Sequence, residues 1–71
     1  MLRKDVETYM KAHNLTTMVI VINENDRLGL SVSLHSGYLY NDYTGSRVDR
    51  KTPIWGYITF EKGKPIRHAF E

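Results

Sequence analysis

Between residues 2 and 13 the apolar positions recur every three or four: Leu2, Val6, Tyr9, Met10 and His13 fall on one side of a 3.6-residue period, and Lys4, Glu7, Thr8 and Lys11 on the other. This spacing predicts a helix over 2–13, with Glu7 and Lys11 in the favourable order for an i,i+4 surface pair. Asn14 tolerates the left-handed conformation that ends helices, so the helix stops there, with Leu15 folding back on Met10 in a Schellman-type cap. After Thr16 the period becomes two. Residues 17–23 are apolar on both sides, Met18, Ile20 and Ile22 one way and Val19 and Val21 the other, which is the pattern of a central strand covered on both faces. Past a polar segment, residues 28–35 alternate: Leu28, Leu30, Val32 and Leu34 inward, Gly29, Ser31, Ser33 and His35 outward.

Ser36-Gly37 predicts a turn, and 38–41 a third strand running into the turn-rich stretch Asn41 to Ser46. With the charged segment 47–51 at its centre, the stretch 41–53 reads as a long loop or a short edge strand. Thr52-Pro53 opens a terminal hairpin with strands over 54–60 and 64–70, and Glu61, Lys62 and Gly63 are taken as a three-residue loop with Gly63 left-handed. That register sets Phe60 opposite Lys64, Ile58 opposite Ile66, Gly56 opposite His68 and Ile54 opposite Phe70. The other face then carries Trp55, Tyr57 and Thr59 beside Pro65, Arg67 and Ala69. Pro65 has no N–H for a ladder, which places the last strand at an edge. A helix followed by about five short strands is an α+β arrangement: a single domain, 1–71, with the N-terminal helix packed on a small antiparallel sheet connected as a meander. An SH3-like half-barrel is the alternative.

A chain of 71 residues supports one core. It has no cysteine, which excludes a disulfide framework, thiolate metal sites and thiol catalysis. The longest apolar run, Met18 to Ile22, is far short of the roughly 20 residues that span a bilayer, and the N-terminus lacks the apolar stretch of a signal peptide. The expectation is a cytoplasmic protein with no membrane partner, and the glycosylation-type triplet Asn14-Leu15-Thr16 is then accidental. Net charge is +2, with six bases against three acids in residues 43–71 and four against five before them. The bias is C-terminal and too small to declare a partner.

Candidate chemistry is thin. His13, His35 and His68 are spread over a helix end and two strands, with no ligand pair at metal spacing. Asp26, Asp42 and Asp49 occupy turns, and the glycines form no phosphate-cradling run. No catalytic, cofactor-binding or metal-binding set is expected, and the chain reads as a non-enzyme. Two other constellations stand out. Trp55, Tyr57 and Arg67 belong to the residue types most enriched at interface hot spots and would share one face of the hairpin, pointing to a protein-binding or regulatory module whose partner is another protein or a second copy. Tyr38, Tyr40 and Tyr43 with Arg47, Arg50 and Lys51 combine stacking faces and cations, the means by which single-stranded nucleic acid is bound. A small hydrolase or metal protein comes third.

Overall fold

The computed structural model describes residues 2–49 and 51–70. One helix, α1 (Arg3–Ala12), lies on a five-stranded sheet of β1 (Thr17–Val21), β2 (Leu30–His35), β3 (Tyr38–Asn41), β4 (Gly56–Glu61) and β5 (Lys64–Ala69). The strand order is β3-β2-β1-β4-β5, antiparallel at every pairing. The fold is thus α+β, a helix on an open antiparallel sheet. β1 is central, as its two-sided apolar pattern requires, and β5 is an edge. The chain lays β1, β2 and β3 side by side, then crosses back so that β4 joins the free side of β1, and the expected meander is broken between β3 and β4.

The helix ends follow local chemistry. Leu2 has no side-chain acceptor, but Asp5 reaches back to accept the Leu2 N–H at 3.1 Å and brings negative charge to the first turn. At the other end Asn14 is left-handed (φ 56°), and the Leu15 and Asn14 amides donate to the Met10 and Lys11 carbonyls at 2.8 and 3.3 Å, completing the Schellman pattern. The helix face differs from the simple periodicity. Glu7 is buried and pairs with Arg3 (Nε to Oε1 3.1 Å), not with Lys11 at the surface. Arg3, four residues before Glu7, is fully buried and donates from Nη1 to the Val48 carbonyl at 2.7 Å.

Val6, Met10, Ile20, Val32, Leu39, Val48 and Ile54 form the core between helix and sheet. Leu28 lies outside it, 90% exposed, because β2 starts only at Leu30. Asp26 Oδ1 accepts the Leu28 and Gly29 amides (3.2 and 3.1 Å), and this turn carries the chain over the far face of the sheet. Gly29 passes so close that a β-carbon there would stand 2.6 Å from Val19 Cγ1 and 3.1 Å from Ile58 Cδ1. The segment after β3 doubles back along its edge: Asn41 donates to the Ser46 carbonyl, Val48 to the Leu39 carbonyl, and Arg47 bridges to Tyr40. The stretch is thus a loop that touches the β3 edge through a single bridge at Arg47 and forms no strand of its own.

The terminal hairpin departs from expectation by one residue. Lys62 and Gly63 both take positive φ (51° and 78°), as Ser36 and Gly37 do (53° and 82°), so each hairpin closes with a two-residue turn of the primed type. Glu61 pairs with Lys64, and hence Phe60 with Pro65, Ile58 with Arg67, Tyr57 with His68 and Gly56 with Ala69. A one-residue slip moves every side chain of β5 to the other face. Gly56 is obligatory, since a β-carbon there would overlap the His68 carbonyl.

Two outcomes test this packing. Arg3→Ala strands a buried carboxylate and should cost about 3–5 kcal/mol, enough to unfold so small a domain by circular dichroism, whereas Arg3→Met with Glu7→Leu should remain folded. An Arg3→Ala protein as stable as the parent contradicts it. Gly56→Ala meets backbone rather than a yielding side chain, so its denaturation midpoint should fall by more than the roughly 1–3 kcal/mol of ordinary overpacking.

Candidate interaction face

The register divides the expected docking triad. Tyr57 and His68, directly opposite, lie on the helix side, and their rings stack at 4.7 Å between centroids. Tyr57 also meets Tyr9 (5.7 Å) and Phe70 (5.0 Å), while Tyr9 packs on His13 (4.2 Å). The Tyr9 hydroxyl beside it and its partial burial push the Tyr57 phenol above its usual range. His68 is opposite Tyr57, not Gly56, and its Nε2 lies 2.7 Å from the Thr59 hydroxyl. Tyr57 is therefore internal packing. Arg67, opposite Ile58, belongs to the other face, and its guanidinium carbon stands 4.9 Å from the Trp55 ring, with Nη2 donating to the Glu24 carbonyl at 2.6 Å. Trp55 escapes the helix side because the alternation breaks at Gly56: Ile54 and Tyr57, three residues apart, both face inward.

The tyrosine and basic set is also dispersed. Arg47 lies over the Tyr38 ring at 3.9 Å, so cation and aromatic satisfy each other. Tyr40 meets His35 edge-on at 6.2 Å. Tyr43 is 84% exposed on the turn, and Lys51 is exposed on the crossing segment. Arg50 lies outside the described residues.

What the fold assembles instead is a row across four strands and the turn after β3, on the face opposite α1. Arg67 pairs with Ile58, Ile58 with Val19, Val19 with Ser31, and the Asp42 amide continues the row by donating to the Ser31 carbonyl. A parallel row runs through Thr17, Ser33, Tyr40 and Arg47. The loop 22–29 covers one end of this face, and the rest forms two open hollows that meet along the serines of β2. One, about 290 Å³, is bordered by Thr17, Val19, Ser31, Ile58 and Phe60, with Phe60 62% exposed. The other, about 370 Å³, is lined by Ser33, His35, Tyr40, Asn41, Asp42 and Gly45.

Asp42 is the electrostatic feature of the second hollow. Ser33 and Ser31 donate hydroxyls to its Oδ1 and Oδ2 at 2.6 and 2.7 Å, and these two bonds hold the carboxyl below its ordinary range. Ser31, Ser33, Asp42 and Phe60 were not singled out by sequence, although the outward alternation of the two serines was visible. Among the described residues no three His, Asp or Glu side chains gather into a group able to hold a metal ion, and no helix is long and apolar enough to cross a membrane.

Fold and face together define a helix-on-sheet α+β domain with one sheet face sealed by the helix and the other largely open. No protein-family model, curated protein or solved structure matches the chain.

The serine bonds give a sign to the pH dependence. A depressed folded-state pKa means stabilisation that is complete above the unfolded value, near 3.8, and is lost as pH falls through the folded value. Carboxylate NMR should therefore find Asp42 titrating below ordinary aspartates, and Ser31→Ala with Ser33→Ala should return it to them. A midpoint unmoved by the double variant refutes the assignment.

Proposed function

We propose that this protein is a non-enzymatic docking module that receives a polypeptide segment on the open face of its sheet. The observation that carries this reading is the exposed Phe60 ring beside the half-buried Val19 and buried Ile58, an apolar hollow on a rigid sheet that abuts a polar one. Side chains on a sheet held by pairing on both sides lose little freedom on binding, which favours recognition over mobile loops.

A segment suits this face better than a second copy. The 22–29 loop covers one end of the face, so what stays open is confined to two hollows of about 290 and 370 Å³, each of a size for a few side chains rather than for a second sheet. The nucleic-acid reading has less support: the Arg47 guanidinium is committed to Tyr38, and a carboxylate held ionised at Asp42 stands in the neighbouring row of the same face, where a phosphate would be repelled.

Peptides selected from a random library against the intact protein should shift the amide resonances of Val19, Ser31, Ile58 and Phe60. Phe60→Glu, with unchanged circular dichroism, should weaken them by roughly tenfold or more. Binders that map to α1 or to the β5 edge, or a selection that yields none, overturn the reading.

A further inference from the structure

The polar hollow has the parts of a receptor for a planar cation. Each oxygen of Asp42 accepts one serine hydroxyl, which fixes the carboxylate plane while leaving each oxygen further acceptor capacity, and the residue is exposed. Among the described residues no cationic side chain pairs with it. Among the described residues, two guanidinium groups of this face are engaged with other partners: Arg47 on the Tyr38 ring and Arg67 on the Glu24 carbonyl and Trp55. Tyr40 walls the same hollow, with His35 against its edge. A carboxylate with both oxygens oriented alike matches the fork of a guanidinium, and an aromatic wall adds attraction for the same ion. An ammonium gains less, being a point charge without the fork.

We propose that Asp42, oriented by Ser31 and Ser33 and flanked by Tyr40, binds the guanidinium of an arginine side chain in the docked polypeptide, with a neighbouring apolar side chain of that polypeptide seated against Phe60. This rests on the docking reading above and names the chemistry of its partner. The charge relation is local: among the described residues the Asp42 carboxylate has no cationic partner, and it stands at one end of a row whose other end is Arg67. An arginine next to an apolar residue in the partner satisfies both hollows.

The test uses a capped peptide with one arginine flanked by leucines, and the same peptide with citrulline, which keeps the shape and loses the charge. The arginine peptide should shift the amides of Ser31, Ser33, Tyr40 and Asp42, and citrulline should bind about tenfold more weakly or worse. Asp42→Asn should abolish that preference, and Tyr40→Leu, which leaves the carboxylate in place, should reduce it. Equal binding of the two peptides, still mapped to Val19 and Phe60, overturns the guanidinium site and leaves the docking face standing. Shifts confined to α1 or the β5 edge overturn both.

Discussion

The structure depends on one buried cation. Arg3, in the first turn of α1, carries its charge into the core, where it has the Glu7 carboxylate on its own helix and the carbonyl of Val48 from the far end of the sheet. Burying a guanidinium is costly unless it is paired, so these contacts are conditions of folding rather than ornaments. Satisfaction is incomplete. Glu7 Oε1 is 3.1 Å from Nε but off its N–H axis, and among the described residues Nε and Nη2 have no hydrogen-bond partner. The Val48 carbonyl is thus the well-formed anchor, and it fixes where residues 46–48 return along β3. That return buries Val48 in the core and sets Arg47 on Tyr38. It also closes the turn from which Asp42 reaches the serines.

Local chemistry made much of the fold readable. The cap at Asn14, the central position of β1 and the edge position of β5 each follow from a residue's own limits: a tolerated left-handed backbone, apolar side chains on both faces, a proline without a donor. The hairpin register did not follow, because the pairing that sets apolar against apolar is not the one the fold adopts. Ile58 against Ile66 looks better than Ile58 against Arg67 until it is known that the arginine is held by Glu24 and Trp55, residues that no local rule brings near it. The turn decides. Lys62 accepts a left-handed backbone, which a lysine adopts only when the strands on either side impose it. Glu7 was misassigned, and its pairing with Arg3 missed, for a related reason. Helical periodicity sorts residues by polarity, and a buried ion pair violates that sorting while keeping the same i,i+4 spacing.

The proposed docking face was less legible than the fold, since it is made by registry between strands. Ser31, Ser33 and Asp42 are separated along the chain by a whole hairpin, and only the β2-β3 pairing brings both hydroxyls within 2.7 Å of the carboxylate. Trp55, Tyr57 and Arg67 were legible as residue types but not as a group. The broken alternation at Gly56 sends the indole and the phenol to opposite faces, and Gly56 itself is explained by close approach to the His68 carbonyl, invisible in a single strand.

Both borders of the sheet are guarded, which directs attention to its face. The outer side of β3 is occupied by residues 46–48. On β5, a two-residue turn makes Glu61 and Lys64 the hydrogen-bonded pair, so Pro65 falls at the next, outward-facing position, where its missing N–H removes a donor from the free edge. Strand addition there would begin with an unfilled rung, beside Lys64 and Arg67, whose charges oppose a second copy of the same edge. The outer face has no such protection. Its loop covers only the end at Glu24 and Gly29, and Phe60, which a complete second layer would bury, is left in water. With the edges closed and an aromatic ring and a held carboxylate left together on the outer face, the proposed docking would proceed through side chains and not through backbone pairing.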